Sequence, residues 1–428
     1  MMLSQQLYDL PTPCYLIDLP RLTQNLRVLQ EVRQRAGCKI LLAQKAFSMY
    51  ALYPLIGSYL DGTAASGLFE ARLGHEEMGG ETHVFAAAYR PDEMDEILEI
   101  CDHVSFNSFS EWERYRGKAL RAGKAYGVRV NPEHSTQSHA VYDPCAPGSR
   151  LGVVQAHFPT DLPEGITGLH FHTLCEQNSD ALVATLAAVE RKFGPYFSKL
   201  RWINMGGGHH ITRADYDIER LVGCVRGVRE TYGLEVYLEP GEAVALEAGY
   251  LVSTVLDVVE NDGPIAILDA SAACHMPDVL EMPYRPEARL LRAPGGAGVV
   301  ARGAREEQDV REEQGERGER GEQDERGERG KRGEWDDWGE RGGAPGDNAY
   351  TVRLAGPTCL AGDVIGAYSF TAPPAPGDRV VFYDMAIYTM VKNNTFNGMN
   401  LPSIALLEGD DRTRVVKSFG YEDFKGRL

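Results

Sequence analysis

The sequence has no run of about 18 apolar residues, the length that a membrane-spanning helix requires. The segment from Met1 to Thr12 also lacks the basic and then apolar pattern of a signal peptide. Both absences argue against a membrane or secreted protein. We therefore expect a cytoplasmic protein.

Cysteine is sparse and scattered along the chain. There are 8 cysteines in 428 residues, and no two of them form a Cys-x-x-Cys pair. This spacing argues against a disulfide framework and against a structural zinc site. We expect reduced thiols.

Positive charge is also in short supply. The chain has 44 lysines and arginines against 62 aspartates and glutamates, a formal net charge of −18. Nucleic acid is therefore an improbable partner, because phosphate groups require a basic surface. The acidic balance suits a cationic ligand, although many cytosolic proteins without such a ligand are equally acidic.

The chain is long enough for two domains, with 43% hydrophobic residues. A strand pattern at Cys14 to Asp18 precedes a helix with apolar residues at Leu19, Leu22, Leu26 and Leu29. Eight further strand patterns alternate with helical ones: Lys39 to Ala43, Tyr59 to Ala64, His83 to Ala88, His103 to Phe106, Ala125 to Val130, Ile166 to Phe171, Leu200 to Met205 and Glu235 to Leu238. Such alternation predicts a (β/α)₈ TIM barrel, with a doubly wound open sheet as the alternative.

A second, all-β domain is expected beyond residue 245, where helical periodicity ends. Its strand patterns are Tyr250 to Val259, Pro264 to Asp269, Tyr350 to Leu354, Asp363 to Phe370 and Arg379 to Asp384. We predict a barrel over residues 19–245. Residues 1–18 and 246–428 would form a C-terminal β-sandwich or β-barrel domain.

Residues 295–347 interrupt this second domain with a repetitive tract of Glu, Arg and Gly. The tract has almost no apolar residues, so it cannot bury enough surface to order itself, and we predict disorder. Its net acidic charge disfavours a nucleic-acid role and favours a tolerated surface insertion.

Three predicted strand ends carry residues suited to chemistry. Lys45 follows the first barrel strand, and partial burial would lower its pKa and free the amine to form a Schiff base. Gly206, Gly207 and Gly208 follow the seventh strand, where unobstructed backbone N–H groups could hold an anion. Glu239 follows the eighth strand and could pair with a protonated ring nitrogen. A surface lysine, a plain tight turn and a helix-start carboxylate are the respective structural alternatives.

Histidines cluster in the same region of the predicted barrel. His170 and His172 end the sixth strand, and His209 and His210 follow the seventh. Because alternate residues of a strand point to opposite faces, only one of His170 and His172 need face a given site. A zinc site is one hypothesis. An imidazole that stacks on a planar cofactor is the other.

Six motifs, in this order, resemble the pyridoxal 5'-phosphate (PLP)-dependent decarboxylases of the alanine-racemase fold. They are LLAQKAFS, GLHFHTLCEQ, NMGGGHH, LEPGEAV, GPTCLAGDVIG and YDMAIYTMVKNNTFNG. This family includes ornithine and diaminopimelate decarboxylases, and the resemblance is strongest to its carboxynorspermidine and carboxyspermidine decarboxylases. It covers nearly all of residues 10–292 and 349–420. The Glu-Arg-Gly tract departs from the family pattern without touching any motif.

The resemblance implies PLP as cofactor and a role for each matching residue. Lys45 would form the Schiff base, His172 would pack on the PLP ring, and Glu239 would bond the pyridine nitrogen. The remaining cofactor contacts would be Arg129, Gly206, Gly207, Gly208 and Tyr388. Cys359 would protonate the carbanion, a role that the family assigns to a cysteine from the other subunit of a homodimer.

One position departs from the better-known relatives. Glu242 stands where ornithine and diaminopimelate decarboxylases carry arginine, which removes a positive charge from the pocket. A carboxylate there would suit a long substrate with cationic amines, as would Asp278, Glu281 and Asp363.

The resemblance therefore implies removal of the α-carboxylate of carboxynorspermidine or carboxyspermidine by a homodimer with shared active sites. Diaminopimelate decarboxylation is the alternative within the family, and Glu242 disfavours it. A non-catalytic PLP-binding protein is the alternative from another class, and the second domain disfavours it. A zinc-dependent barrel hydrolase is a third possibility.

Overall fold

The computed structural model describes residues 2–137, 142–282, 284–292, 301–302, 350–409 and 412–428. The elements up to residue 245 are α1 (Met2–Asp9), β1 (Cys14–Asp18), α2 (Leu19–Ala36), β2 (Lys39–Ala43), α3 (Tyr53–Gly57), β3 (Gly62–Ala65), α4 (Leu68–Glu77), β4 (Glu81–Phe85), α5 (Met94–Ile100), β5 (His103–Phe106), α6 (Phe109–Ala122), β6 (Ala125–Arg129), β7 (Ile166–His170), α7 (Ser179–Phe193), β8 (Trp202–Asn204), α8 (Ile218–Tyr232), β9 (Glu235–Leu238) and α9 (Glu242–Ala245). Single 3₁₀ turns lie at Tyr50–Leu52, Gln155–His157 and Gly194–Lys199.

The second part of the chain is rich in strands. It contains β10 (Gly249–Glu260), β11 (Pro264–Leu268), α10 (Ala272–His275), α11 (Asp278–Glu281), β12 (Ala288–Leu291), β13 (Ala301–Arg302), β14 (Tyr350–Ala355), β15 (Val364–Phe370), β16 (Arg379–Tyr383), α12 (Thr389–Lys392), β17 (Ser403–Leu407), β18 (Thr413–Lys417) and α13 (Tyr421–Lys425). A 3₁₀ turn at Phe396–Gly398 follows α12.

Strands β2 to β9 form a closed parallel barrel. Each strand pairs with the next in sequence, and β2 closes the ring on β9 through Lys39 opposite Tyr237 and Ile40 opposite Leu238. The predicted barrel is confirmed, and the open-sheet alternative is wrong. The eighth predicted strand matches β9, whereas the predicted strand from Leu200 to Met205 is shortened to β8.

Helix α2 shows why the local sequence folds as predicted. The Asp18 side chain accepts a hydrogen bond from the Arg21 N–H at 2.9 Å, which caps the first turn. Gly37 ends the helix in the left-handed conformation at φ 67°, where its N–H reaches the Arg33 carbonyl. Leu22 and Leu26 of the predicted apolar stripe are fully buried against the barrel.

The sheet domain contains strands that precede the barrel in the sequence and strands that follow it. Its main path is β13-β12-β16-β10-β1-β17-β18, and β11, β14 and β15 extend from β10. Strand β1 pairs antiparallel with β10 and parallel with β17. The sequence patterns did not predict β12, β17 or β18. The Glu-Arg-Gly tract contributes the two-residue strand β13, and the rest of that prediction lies outside the described residues.

Large and small residues fill the barrel interior together. The indole of Trp202 lies across Gly127 and Gly168, where an added Cβ would sit 2.5 Å and 1.9 Å from the ring. These two glycines therefore make the space that the tryptophan occupies. The barrel is a packed core at this level, as expected for eight strands.

A polar cluster closes the amino-terminal end of the barrel. The Lys39 ammonium contacts the Glu81 carboxylate and lies 2.9 Å from that of Glu235. The rings of His83 and His103 stack with centroids 4.0 Å apart, and His83 Nε2 lies 3.0 Å from Glu81. The possible ligand atoms of Glu81, His83 and His103 lie within 4.8 Å of one another, but the two stacked imidazole rings do not point their nitrogen lone pairs at a common position.

All eight cysteines lie in the described part of the chain and are free thiols. None of the described helices combines the length and the hydropathy that crossing a bilayer requires.

Replacing Glu81 with glutamine should remove an acid-dependent part of the stability. Burial opposes ionisation of Glu81, but His83 and Lys39 together lower its pKa to about 2, below the ordinary 4.5. A lowered pKa stabilises the fold above pH 4.5, and this contribution disappears as the pH falls from 4.5 towards 2. We expect Glu81→Gln to cost about 1.5–3 kcal/mol at pH 7, since the lost hydrogen bonds are to charged groups.

Urea unfolding of wild type and variant at pH 7 and at pH 3.5 measures this difference, which should shrink at the lower pH. Glu96→Gln is the matched control, because Glu96 pairs with Arg72 on the surface and should cost little at either pH. An equal cost of Glu81→Gln at both pH values would contradict the assignment.

Candidate active site

The carboxyl ends of the barrel strands open into a cavity of about 570 Å³. Three parts of the chain line it. The strand ends give Ala43, Lys45, Arg129, His172, Leu174, Cys175, Gly208, Glu239, Gly241 and Glu242; the β6–β7 loop gives Tyr142, Asp143, Pro144, Ala146, Pro147, Gly148, Ser149, Arg150 and Leu151; and the sheet domain gives Tyr388. The cavity therefore collects most of the residues that the sequence indicated.

Lys45 extends from the turn after β2 into this cavity. The turn is fixed on two sides, because the Ala43 N–H donates to the Pro240 carbonyl at 3.1 Å and the Tyr388 N–H donates to the Ala46 carbonyl at 2.8 Å. The Lys45 side chain is exposed to the cavity, and the walls of the cavity surround its amine. Burial and the nearby Arg129 charge lower the pKa of Lys45 below its ordinary value. The Lys45 amine therefore loses its proton more readily than the amine of a lysine on the open surface.

His172 lies beside this amine, with its Nε2 3.5 Å from Lys45 Nζ. The Gly207 N–H donates to His172 Nδ1 at 2.9 Å, so Nδ1 carries the lone pair and the neutral ring carries its proton on Nε2. Burial and the charges of Lys45 and Arg129 hold the pKa of His172 well below 6.5. His172 is therefore a flat, uncharged wall of the cavity.

His170 is the last residue of β7 and is buried, and it does not line the cavity as His172 does. Its Nε2 lies 3.5 Å from the Glu239 carboxylate, and Phe85 packs edge-on against its ring. His209 bonds instead to the Tyr216 hydroxyl at 2.6 Å. The four histidines of the zinc hypothesis thus have separate partners and do not converge on one point.

Glu239 is an ionised carboxylate in the cavity wall. Burial would raise its pKa, but the charge of His170, when that ring is protonated, and the hydrogen bond from Asn204 lower it to about 2. The Asn204 amide donates to Glu239 at 2.6 Å, and its oxygen accepts from the Gly206 N–H at 2.8 Å. One asparagine at the end of β8 therefore holds the carboxylate and the glycine loop together.

The three glycines are required by close packing. Gly206 and Gly208 have φ values of 69° and 82°, which favour glycine, and a Cβ on Gly207 would lie 2.0 Å from the Glu239 carbonyl. Two of the N–H groups expected to hold an anion donate elsewhere: Gly206 to Asn204 and Gly207 to His172. Of the three, Gly208 borders the cavity.

Arg129 is buried and lies between the cavity and the barrel core. Its guanidinium donates to the His172 carbonyl at 2.9 Å and lies 4.5 Å from the centroid of the Phe85 ring. Burial lowers the pKa of Arg129 to about 10, which leaves the group charged at neutral pH. This cation supports the backbone of His172.

Glu242 lines the cavity, but it already has an internal partner. Its carboxylate lies 2.9 Å from His210 Nε2, and the two side chains are 13% and 8% exposed. Burial would lower the pKa of His210, but the hydrogen bond and charge of Glu242 raise it above 6.5. A cationic ligand at Glu242 would therefore share the carboxylate with His210.

Three other predicted acidic contacts lie outside this cavity. The Asp363 carboxylate is buried and accepts from Ser271 Oγ at 2.9 Å and Thr358 Oγ1 at 2.6 Å, so it braces the loop that carries Cys359. Asp278 and Glu281 lie on α11 and face the ammonium of Lys392. Each of these three carboxylates thus has a partner within this chain, and their role as contacts for a cationic substrate stays a prediction.

Cys359 is exposed on the sheet domain and does not line the cavity of its own chain. Its thiol donates to Asn397 Oδ1 at 2.9 Å. Lys45 and Cys359 are thus not brought together within one described chain.

Sequence reasoning missed several contacts around the cavity and several of its lining residues. Asn204 and His210 lie in the motif NMGGGHH, but the sequence did not show that they bind Glu239 and Glu242. The β6–β7 loop, including Tyr142 and Arg150, was overlooked, although its length was an available signal. A connection longer than about 15 residues without regular structure is commonly functional.

Comparisons with known proteins agree with this geometry. No protein-family model matches the chain. A carboxyaminopropylagmatine decarboxylase from Synechocystis sp. is 38% identical over 99% of this chain and 97% of the relative. A carboxynorspermidine/carboxyspermidine decarboxylase from Campylobacter jejuni is 36% identical over 97% of this chain and 98% of the relative.

A solved structure is similar over nearly its whole length. Carboxynorspermidine decarboxylase from Campylobacter jejuni, in complex with norspermidine, has a TM-score of 0.80 and 35% identity. The match covers 98% of this chain and 100% of that one. Both the barrel and the sheet domain therefore have counterparts in a single relative.

Replacing Glu242 with glutamine should lower the pKa of His210. The carboxylate is the main group that raises this pKa against burial, and the neutral amide has no charge to do so. Because the His210 pKa is raised, the pair stabilises the fold below pH 6.5 and loses this contribution as the pH rises through the folded value. NMR titration of protein with ¹⁵N-labelled histidine measures the pKa directly.

The control for this titration is Glu247→Gln, which removes a surface carboxylate that pairs with Arg21 at 2.6 Å. It should leave His210 unchanged. An unaltered His210 pKa in Glu242→Gln would show that the two groups are not paired in solution.

Proposed function

The chain belongs to the family of the carboxynorspermidine and carboxyspermidine decarboxylases, and from this premise we propose that it removes the carboxylate of a carboxylated polyamine with PLP as cofactor. The observation that carries the proposal is one cavity lined by the amine of Lys45, the ionised Glu239 and the carboxylate of Glu242. An amine and an anion at fixed positions suit a pyridine aldehyde, and the additional glutamate suits a cationic substrate.

The residues present fit PLP by the chemistry of their donor groups. Lys45 would bind the aldehyde carbon, His172 would cover one ring face, and Glu239 would face the ring nitrogen. Arg129, Gly208 and Tyr388 complete the proposed contacts, with Gly206 and Gly207 shaping the loop. When bound, PLP supplies an electron sink for the charge left as CO₂ departs.

The protein's own groups are set for this chemistry before substrate arrives. The lowered pKa of Lys45 favours a free amine that can attack a carbonyl carbon and carry a proton. Glu239 keeps a negative charge, which would hold a ring nitrogen in its protonated form. His172 stays neutral and adds no competing charge at the reacting face.

The substrate class follows from the carboxylates near the cavity. Norspermidine and spermidine differ by one methylene, which an apolar pocket distinguishes by only about 1–3 kcal/mol. The Synechocystis relative is named for carboxyaminopropylagmatine, which ends in a guanidinium group. Carboxyaminopropylagmatine is therefore a third candidate substrate. Diaminopimelate remains the alternative within the wider fold, but its second carboxylate would face Glu242. A PLP-binding protein without activity is disfavoured by the sheet domain, which has a counterpart in the decarboxylase of known structure.

We include a homodimer in the proposal, with residues 19–245 as the PLP-binding barrel and residues 1–18 and 246–428 as the sheet domain. The exposed thiol of Cys359 lies away from its own cavity. It could act as a proton donor only in the cavity of a second subunit. Eight free thiols support a reducing, cytoplasmic location.

Product analysis tests the proposed function. Protein purified with PLP should convert carboxynorspermidine or carboxyspermidine to the polyamine and CO₂, while ornithine and diaminopimelate should be poor substrates because each lacks the long polyamine chain. Carboxyaminopropylagmatine belongs in the same assay. Preferred turnover of diaminopimelate would overturn the substrate class.

The same preparation tests the role of Lys45. Borohydride reduction followed by peptide mass spectrometry should find the cofactor mass on Lys45, and Lys45→Ala should lose both the label and turnover. Lys124→Ala changes a lysine outside the cavity and should retain both. A label on another lysine would remove Lys45 from the proposed role.

Subunit mixing tests the shared site. Lys45→Ala and Cys359→Ala should each be nearly inactive as homodimers, but a mixed dimer has one site with both residues intact. Random reassortment makes half of the dimers mixed, so about a quarter of wild-type activity should return, by the symmetry of a two-fold dimer. No recovery after verified exchange would contradict a site shared between subunits.

A further inference from the structure

An acidic subsite behind Tyr388 is filled by a lysine of the same chain. The Lys392 ammonium lies 2.5 Å from Asp278 and 3.8 Å from Glu281, and it is 5.4 Å from the centroid of the Tyr388 ring. Two carboxylates and an aromatic ring form a site that suits an alkylammonium ion. We call Asp278, Glu281 and Lys392 the α11 cluster.

The α11 cluster lies next to the cavity. Tyr388 lines the cavity, and the Lys392 N–H donates to the Tyr388 carbonyl at 3.2 Å, so the lysine stands one helical turn behind that residue. Tyr142 also lines the cavity. Burial raises the pKa of Tyr142 and of Tyr388, and the negative charge of Asp278 adds to the rise of both.

Asp278 and Glu281 differ in the solvent exposure of their side chains. The Asp278 side chain is 14% exposed and that of Glu281 is 63% exposed, while that of Lys392 is 36% exposed. Asp278 is therefore the member whose charge most needs a partner. Lys392 supplies that partner from a flexible stem that can swing aside.

We propose that Lys392 is a specificity-determining residue, a tethered cation that occupies the α11 cluster and disfavours substrates whose distal cation is long enough to reach Asp278. The inference rests on the proposed function, since it concerns the polyamine end of that substrate. A short distal chain leaves the Lys392–Asp278 pair intact. A longer chain, or one that ends in a guanidinium, has to displace Lys392 and so loses part of the binding that Asp278 would otherwise give.

The variant Lys392→Met tests this, because methionine keeps a similar length without the charge. Its kcat/KM for carboxyspermidine and for carboxyaminopropylagmatine, each relative to carboxynorspermidine, should rise about two- to five-fold, the range of a partly exposed ion pair. The double variant Lys392→Met with Asp278→Asn should return both ratios to the wild-type value. Lys392→Arg keeps the charge and should leave the ratios near those of wild type.

Lys417→Met is the matched control. Lys417 also lies over an aromatic ring, at 5.6 Å from Phe419, but on β18 and outside the cavity. It should leave the ratios unchanged. If wild type turns over none of the three substrates, the proposed function fails. If wild type is active and Lys392→Met, folded by circular dichroism, keeps the wild-type ratios, the proposed function stands and the role of Lys392 is overturned.

Discussion

Burial at the mouth of the barrel opposes the charges of Glu239 and Lys45. The chemistry of the cavity therefore depends on which of these charges the neighbouring groups stabilise. Glu239 remains ionised because His170 and Asn204 offset the cost of burial. The nearby carboxylates do not offset the effects of burial and of the Arg129 charge on Lys45, so the pKa of Lys45 falls. The same surroundings therefore have different effects on two neighbouring groups: Glu239 keeps its negative charge, and Lys45 loses its proton more readily than an ordinary lysine does.

Much of the fold and several cavity positions could be predicted because they are encoded locally. The alternation of strand and helix gave the barrel, and Asp18 and Gly37 mark the ends of α2 where capping chemistry requires them. Lys45 and Glu239 were identified because parallel strands bring their carboxyl ends to one edge. Asn204 was missed, since its importance comes from a bond to a residue on the next strand, and no periodicity records that bond.

Pairing between distant segments accounts for the other differences. Asp278 looked like a free carboxylate in sequence, but Lys392 reaches it from more than a hundred residues away. Glu242 was correctly placed at the cavity, yet its partner His210 was not foreseen. The strands β17 and β18 were also missed, because β1 and β17 stabilise each other only after the chain has closed on itself. The local sequence pattern identified the carboxylates, and contacts between distant segments determine which of them already have a partner within the chain.

The position of β1 in the middle of the sheet has a consequence for folding during synthesis. Its two neighbours, β10 and β17, both follow the barrel in sequence. As the ribosome releases the chain, all eight barrel strands can pair while β1 still lacks both partners. The backbone contact of Tyr388 with the Lys45 turn also comes from a segment made after the barrel. Long-range pairing of this kind is slow, so we expect the barrel to form before the sheet domain, and the end of the barrel that carries Lys45 to be completed last.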